Sequence, residues 1–275
     1  MHQPSPIELR QRNLDIADFD QRQPALHNKA EYKRQLKHWQ KRLLRVQQAY
    51  YHLGKRAIVV FEGWDCAGKG GAIRRITQKL DPRGYTVYPI SAPSEEDQGK
   101  HYLYRFFTKL PKAGTVSIFD RSYYGRVLVE RVEGFAAQHE WQRAYQEINE
   151  FERLLIDDDL RVVKLFIHID KDEQLQRFIQ RLQDPSKRWK LTMDDVRNRQ
   201  KWPEYVTAIN AMLQHTDTVQ APWQIIAGHN KPYARVQVLK TLVESLSCGV
   251  DIEPPPIDPE VVKLAKQKLG MVIED

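Results

Sequence analysis

Apolar side chains recur at helical spacing along residues 29 to 50, "KAEYKRQLKHWQKRLLRVQQAY". Tyr32, Leu36, Trp39 and Leu43 fall on one face of such a helix. The other face is rich in Lys and Arg, so the pattern predicts an amphipathic helix with a basic outer surface. That surface is either a solvated helix face or a contact for an anionic substrate.

Short β-prone apolar runs then alternate with helical patterns. The predicted strands are "AIVVF", "GYTVYPI", "TVSIFD", "RVVKLFIHI" and "WQIIAG". The predicted helices are "AIRRITQKL", "QGKHYLYRFFTKL" and "HEWQRAYQEINEFERLLIDD", with a final one over residues 231 to 246. Because strands that alternate with helices form a parallel sheet covered on both faces, the sequence predicts an α/β fold.

The same patterns divide the chain into three parts. Residues 1–28 are polar with little periodicity and predict an N-terminal arm. Residues 29–248 form the predicted α/β domain. Residues 249–275 contain the linker-like "EPPPIDP" and predict a C-terminal tail that ends in one short helix.

Composition narrows the class of protein. The chain has 275 residues, 41% of them hydrophobic, which is enough for a substantial core. Lys and Arg outnumber Asp and Glu by 43 to 36, giving a net charge of +7 that suits an anionic partner. Two cysteines, Cys66 and Cys248, exclude a disulfide framework and fit a reducing compartment.

Targeting signals are not evident in the sequence. The first residues lack the apolar core of a signal peptide, and no apolar run approaches the roughly 20 residues that span a bilayer. We therefore expect a soluble, cytoplasmic protein with no membrane partner. The sequence contains no recognition helix or aromatic-rich RNA motif, so we expect no nucleic-acid partner either.

The first candidate for chemistry is a glycine-rich loop, "FEGWDCAGKGG", between a predicted strand and a predicted helix. Gly63, Gly68 and Lys69 have the spacing of a phosphate-binding loop, in which backbone amides, the helix end and the lysine bind phosphate. A turn with no ligand is the alternative. Position 70, where such loops place a magnesium-binding Ser or Thr, is glycine. The predicted phosphate ligands here are Gly63, Ala67, Gly68, Gly70 and Gly71.

Two aspartates offer a replacement for the missing hydroxyl. Asp65 lies inside the loop, where its carboxylate would reach phosphates through a cation or, alternatively, cap the turn. Asp120 ends the third predicted strand, at the sheet edge where α/β folds place their ligands. An aspartate there is typical of the metal partner of a phosphate-binding loop, although strand-end aspartates also act as caps. We predict that Asp65 and Asp120 hold Mg²⁺, with Mn²⁺ as the alternative ion.

Basic residues surround these carboxylates. Arg121 and Arg126 follow Asp120 directly, and their guanidinium groups suit phosphate oxygens. A second basic cluster, "RFIQRLQDPSKRWKLT", lies where nucleotide kinases carry a mobile lid that closes over phosphates; a solvated basic loop is the alternative. We place the lid at about residues 181–192. The cluster contains Arg177, Arg181, Lys187, Arg188 and Lys190.

Three motifs together resemble the family-2 polyphosphate kinases: "GWDCAGKGG", "FDRSYYGRVLVERVEGF" and "PSKRWKLT". The resemblance implies a thymidylate-kinase-like P-loop fold with a helical lid, a magnesium requirement and a homo-oligomer, either dimer or tetramer. It also implies the site residues. Asp65, Lys69, Asp120, Arg121 and Arg181 would be catalytic, and Arg126, Glu130, Arg131, Lys187, Arg188 and Lys190 would bind phosphate or nucleotide.

The resemblance also implies a reaction, the transfer of a phosphoryl group between inorganic polyphosphate and a nucleotide. The string "YYGRVLVERVEGF" is most similar to members that convert AMP to ADP. Those members often carry two fused copies of the domain, whereas this chain has one, so conversion of ADP to ATP and the use of guanine nucleotides stay open. Two other classes also remain open: an ATP-dependent nucleoside monophosphate kinase and a non-enzymatic P-loop nucleotide-binding protein.

Overall fold

A parallel sheet forms the centre of the computed structural model, which describes residues 4–11, 15–22, 24–254 and 257–270. In these residues the sheet has five strands in the order β2-β3-β1-β4-β5, every neighbouring pair parallel. The predicted α/β fold is therefore confirmed. The strands are β1 (Arg56–Gly63), β2 (Tyr85–Pro89), β3 (Val116–Asp120), β4 (Leu160–His168) and β5 (Trp223–Ala227).

Helices cover both faces of this sheet. Four of them connect strands or pack beside them as the periodicity predicts: α1 (Lys29–Leu53), α2 (Lys69–Thr77), α5 (Gln138–Asp157) and α9 (Lys231–Ser247). The others are α3 (Tyr104–Phe107), α4 (Val129–Val132), α6 (Lys171–Gln183), α7 (Met193–Gln200), α8 (Trp202–Thr216) and α10 (Pro259–Leu269). The last of these confirms the short helix predicted for the tail.

Local signals fix both ends of α1. The side chain of Asn28 accepts from the amides of Ala30 at 2.9 Å and Glu31 at 3.0 Å, which caps the first turn. Gly54 ends the helix in the left-handed region, with φ of 65°. The chain then enters β1, so the C-terminal end of α1 lies at the amino edge of the sheet and its N-terminal half at the carboxyl edge.

One predicted helix was wrong, and two helices were not predicted. The pattern of residues 98–110 predicts a helix, but only α3 is helical there; Leu103 and Phe106 are buried, so tertiary packing accounts for the apolar spacing. Conversely, α7 and α8 follow the basic cluster in a region with no predicted element.

The N-terminal arm packs against the rest of the chain rather than extending from it. The side chain of Ile16 is fully buried, and its backbone N donates to Asn210 Oδ1 at 2.8 Å. Leu9 forms an antiparallel bridge with Thr218. Parts of the predicted arm and tail, residues 1–3, 12–14, 23, 255–256 and 271–275, lie outside the described residues.

Helix length and polarity also bear on membranes. Within the described ranges, none of the helices is both long and apolar enough to cross a bilayer.

Candidate active site

The predicted phosphate-binding loop connects β1 to α2, as its glycine spacing indicates. Gly63 ends β1 with φ of 135°, and Gly68 precedes α2 with φ of 115°. A Cβ atom on Gly63 would lie 2.2 Å from the carbonyl oxygen of Ile167 in β4, so only glycine fits there. Since Gly68 supplies no side-chain cap, the amides of the first turn of α2 remain suited to an anion.

Lys69 opens α2, and its ammonium group lies over the loop. Its Nζ atom donates to the carbonyl oxygens of Gly63 at 2.6 Å and Trp64 at 3.1 Å. A phosphate group in the loop would offer this cation charged acceptors, which form stronger hydrogen bonds than neutral carbonyls. The position of Lys69 therefore fits a phosphate-binding lysine.

Asp65 is held as a carboxylate between two elements. Arg121 donates to its Oδ1 atom at 2.8 Å, and Asn198 of α7 donates to Oδ2 at 3.0 Å. Burial alone would raise the pKa of Asp65, but the charges of Lys69 and Arg121 and these hydrogen bonds outweigh burial and lower the pKa below its ordinary value. The group is therefore ionised at neutral pH, as a ligand of a cation must be.

Asp120 faces the position where a hydroxyl is missing. It is the last residue of β3 and lies in register with Phe61 of β1. A Cβ atom on Gly70 would lie 3.9 Å from Asp120 Oδ2. A Ser or Thr side chain at position 70 would thus lie next to the same carboxylate. The donor set fits Mg²⁺, which prefers oxygen ligands and needs only one or two carboxylates beside phosphate oxygens and waters.

A cavity of about 630 Å³ opens beside residues Gly63, Trp64 and Asp65 of the loop. Arg126 and Glu130 line it as an ion pair, with Nη1 of the first 3.1 Å from Oε2 of the second. Burial raises the pKa of Glu130, and Arg126 opposes this effect. Aromatic and polar side chains complete the wall, among them Tyr102, Arg105, Phe106, Arg121, Phe135, Asn198 and Tyr205.

A second cavity, of about 200 Å³, lies on the other side of the loop, next to Cys66, Ala67, Gly68 and Gly71. Among the described residues that line it, none is aromatic and none is acidic. Five are basic: Arg177, Arg181, Lys187, Lys231 and Arg235. The loop therefore separates a small cationic cavity from a larger one with aromatic walls.

Arg177, which the sequence places in the basic cluster with the lid residues, has a different position. Its side chain is 3% exposed and pairs with Glu173 at 2.6 Å. Its Nη1 atom donates to the carbonyl oxygens of Cys66 at 3.0 Å and Ala67 at 2.8 Å, and Nη2 donates to that of Gly228 at 2.7 Å. Arg177 thus fixes the backbone of the phosphate-binding loop to the start of the segment before α9.

The predicted lid begins at the end of α6. Arg181 and Lys187 line the smaller cavity. Arg181 Nη1 also donates to the carbonyl oxygen of Lys190 at 3.0 Å, and Arg188 Nε donates to that of Leu182 at 2.6 Å. Arg188 and Lys190 are exposed, so the structure brings two of the four lid cations to the loop.

Arg131 is not brought to either cavity of the loop. Its Nη1 atom donates to Tyr145 OH at 2.8 Å, and its guanidinium group lies 4.2 Å from the centre of the Trp141 ring. These contacts place Arg131 against α5. A nucleotide-binding role for this residue stays a prediction that its position does not support.

Sequence reasoning missed several residues of the two cavities. Lys231 and Arg235 lie on α9, far along the chain from the loop, and only the topology shows that they meet it. Asn198 binds Asp65 from α7, which the periodicity did not reveal. Trp202 stacks on Trp64 of the loop with ring centres 3.6 Å apart. These contacts could not be identified from a local signal in the sequence.

A buried histidine makes the stability of this region dependent on pH. Nδ1 of His168 accepts from Trp64 Nε1 at 2.9 Å, which requires the neutral ring. Burial lowers the pKa of His168 to about 4; nearby His229 acts in the same direction, and Asp170 opposes it. In the unfolded chain the group would titrate near 6.5. Since the unfolded chain then binds more protons below pH 6.5, the free energy of unfolding falls as the pH is lowered toward 4.

We expect acidification from pH 7 to pH 4 to remove roughly 3 kcal/mol of stability through His168, because each pKa unit corresponds to about 1.4 kcal/mol. Urea unfolding of the wild type and of His168→Gln across this range measures the effect. The variant should show a flatter pH dependence, whereas His139→Gln, at an exposed position, should follow the wild type. Parallel curves for all three proteins would contradict this assignment.

Comparison with known proteins agrees with this geometry. "Polyphosphate:AMP phosphotransferase" of Pseudomonas syringae pv. tomato is 51% identical over 189 residues, 69% of this chain and 38% of that protein. The protein of the same name from Pseudomonas aeruginosa is 47% identical over 222 residues, 81% of this chain and 45% of that protein. The chain thus spans less than half the length of these two relatives.

A solved structure covers nearly the whole chain. The crystal structure of Polyphosphate Kinase 2 from Arthrobacter aurescens TC1 matches with a TM-score of 0.85 and 32% identity, over 93% of each chain. Residues 26–252 also match the sequence model of the family described as Polyphosphate kinase 2 (PPK2). Since that match includes the loop, both aspartates and the lid, the chain belongs to the polyphosphate kinase 2 family.

Proposed function

We propose that this chain transfers a phosphoryl group between inorganic polyphosphate and a nucleotide, with AMP as the principal acceptor. The observation that carries the proposal is the pair of unlike cavities on either side of one phosphate-binding loop. One is cationic with no aromatic lining among its described residues, and the other has aromatic walls. A reaction between a baseless polyanion and a nucleotide needs this asymmetry.

The smaller cavity suits polyphosphate better than a nucleotide donor. Its volume of about 200 Å³ is below the range of roughly 300–1,000 Å³ typical of small-molecule pockets. Its basic residues can bind phosphate oxygens, and none of the described lining residues offers a ring on which a base could stack. An ATP-dependent nucleoside monophosphate kinase would need such a place for the donor base.

The larger cavity suits the acceptor nucleotide. Its volume of about 630 Å³ accommodates a nucleoside, and Tyr102 and Tyr205 offer aromatic surface. Arg121 and Arg126 lie in its wall for the acceptor phosphate. The names of the two relatives favour AMP as the acceptor; conversion of ADP to ATP and the use of guanine nucleotides are secondary candidates.

Asp65 and Asp120 are the residues that would hold Mg²⁺ or Mn²⁺ in this site. The ion would neutralise charge on the phosphate oxygens as the phosphoryl group moves. Lys69 and Arg121 bind the transferring group from two sides. Arg181 and Lys187, which belong to the lid, shield this group from water. The phosphate of AMP is a monoester with a second pKa of about 6, so it is already largely ionised at pH 7. The acceptor therefore needs no general base. Positioning and charge stabilisation then provide the catalysis.

The direct test incubates the protein with Mg²⁺, polyphosphate and AMP, ADP, GMP or GDP in separate reactions, followed by nucleotide chromatography. We expect ADP from AMP as the fastest reaction. A parallel reaction supplies ATP in place of polyphosphate. Product formation with ATP alone as the donor would reject the proposal in favour of a nucleoside monophosphate kinase. Nucleotide binding without turnover on either donor would favour a non-enzymatic P-loop protein.

A further inference from the structure

Three lysines on α1 form an exposed basic stripe near the loop. Lys33, Lys37 and Lys41 are four residues apart, so their side chains project from the same side of the helix, about 6 Å from one to the next. All three are exposed. In the described part of the chain, none of them forms a salt bridge or a side-chain hydrogen bond, so their positive charge is not neutralised by a neighbouring carboxylate.

Contacts between α1 and α2 set the position of this stripe. Gln40 Nε2 donates to the carbonyl oxygen of Arg75 at 2.8 Å, and Gln47 Nε2 donates to that of Asp81, also at 2.8 Å. Later residues of α1 thus meet later residues of the α2 segment, and the two helices run parallel. Lys37 lies one turn before Gln40 in α1, and Gly71 lies one turn before Arg75 in α2. Because the two helices are parallel, Lys37 and Gly71 lie at the same height along the helix axes.

Gly71 and Ala72 are the residues within α2, after its first turn begins, that line the smaller cavity. Gly71 lines the cavity together with Arg235 of α9. A Cβ atom at this glycine would lie 3.7 Å from Arg235 Nη2, and Arg75 Nη1 donates to its carbonyl oxygen at 3.4 Å. Arg235 and Arg75 thus both lie at Gly71, and Arg75 also meets α1 through Gln40, so basic side chains stand between the smaller cavity and α1.

We infer that the stripe of Lys33, Lys37 and Lys41 is an accessory binding surface for the part of a long polyphosphate chain that extends beyond the smaller cavity. The inference rests on the proposed function. A cavity of about 200 Å³ holds only a short run of phosphates, so the rest of a longer chain must lie on the surface outside it. The stripe offers regularly spaced cations to regularly spaced anions. None of its three lysines is among the described residues that line the larger cavity, which suits the acceptor.

This arrangement makes the effect of the lysines depend on chain length. A tripolyphosphate bound in the smaller cavity ends before the stripe, whereas a long chain crosses it. Exposed charge contacts are individually weak, so we expect the double variant Lys33→Gln/Lys37→Gln to raise KM for long-chain polyphosphate by about 3- to 10-fold. KM for tripolyphosphate and kcat on either donor should not change.

The matched control is Lys79→Gln/Lys112→Gln. Both lysines are exposed, and they lie beyond the end of α2 and just before β3, at the amino edge of the sheet. This variant removes the same net charge on the side of the molecule away from the loop. Its KM values should match those of the wild type with both donors, which separates a local contact from a change in overall charge.

Direct binding of long-chain polyphosphate, measured by calorimetry without nucleotide at several salt concentrations, distinguishes the two proposals. The variant should weaken binding and reduce the slope of log K against log salt by roughly one to two. If the wild type turned over neither donor, the proposed function would fail, while weaker binding by the variant would still support the stripe. The inference would be overturned if the wild type and the variant had equal KM values for long-chain polyphosphate, or if KM rose equally for long-chain polyphosphate and tripolyphosphate. It would also be overturned if single-stranded DNA of matched charge displaced polyphosphate from the wild type and from the variant equally well.

Discussion

Replacing Asp65 or Asp120 with Asn is expected to lower turnover about 1,000-fold while the fold stays intact. The amide keeps the shape of the carboxylate but loses the charge that would hold a divalent cation. Metal coordination contributes several kcal/mol to stabilising transition-state charge, and a loss of about 4 kcal/mol corresponds to three orders of magnitude. Steady-state rates with saturating polyphosphate and AMP measure the loss, and calorimetric titration with Mg²⁺ measures cation affinity separately.

The two variants should also differ from each other. Asp65 binds Arg121 and Asn198, so Asp65→Asn removes an ion pair that positions a phosphate ligand and should raise KM for the acceptor. Asp120→Asn should act mainly on kcat and on Mg²⁺ affinity. Asp81→Asn, at a half-buried turn residue after α2 whose carboxylate binds Arg83 and not the loop, is the matched control and should turn over as the wild type does. Turnover within tenfold of the wild type in both site variants would reject the metal assignment.

Local signals account for the parts of the site that the sequence predicts. The loop could be predicted because its glycines, its lysine and the strand before it are contiguous. Asp120 could be predicted because it ends an apolar strand, and parallel strands end at one edge of the sheet. The metal ligands, the lid roles and the homo-oligomer stay predictions.

Long-range contacts account for the rest. Arg177 reads as one more member of the basic cluster in the sequence, but its burial against two loop carbonyls and that of Gly228 depends on how α6 approaches β1 and β5. Lys231 reaches the loop only because α9 returns beside α2. Arg131 belongs to the motif "FDRSYYGRVLVERVEGF", which resembles the family, yet its guanidinium group lies against the ring of Trp141. The sequence shows that these residues are basic, but the surface that each side chain reaches depends on how distant elements pack together.

A buried ion pair beneath the site illustrates the same limit. Lys164 interrupts the apolar pattern of β4, and its side chain is fully buried. Its Nζ atom donates to Glu152 Oε2 at 2.8 Å, to Tyr124 OH at 3.0 Å and to the carbonyl oxygen of Thr216 at 2.7 Å. Burial lowers the pKa of Lys164, and Glu152 opposes that shift. The ammonium group thus has three acceptors, which a buried charge requires.

The pair also anchors the turn that carries the site arginines. Tyr123 OH and Tyr124 OH both donate to Glu152 Oε1 at 2.8 Å. These tyrosines lie between Arg121, which has φ of 64°, and Arg126. Glu152 therefore holds, from α5, a turn whose backbone is otherwise strained at Arg121.

Glu152→Gln is expected to lower the free energy of unfolding by about 3–5 kcal/mol, because it leaves a buried ammonium group without its carboxylate. Lys164→Met should cost a similar amount, since the carboxylate then loses its cation. The double variant Glu152→Gln/Lys164→Met removes both charges and should recover part of the loss, because an apolar or neutral replacement of a buried pair is often tolerated. Urea unfolding of the four proteins gives the coupling energy directly. Single variants within about 1 kcal/mol of the wild type, or losses that simply add in the double variant, would show that the pair does not act as one unit.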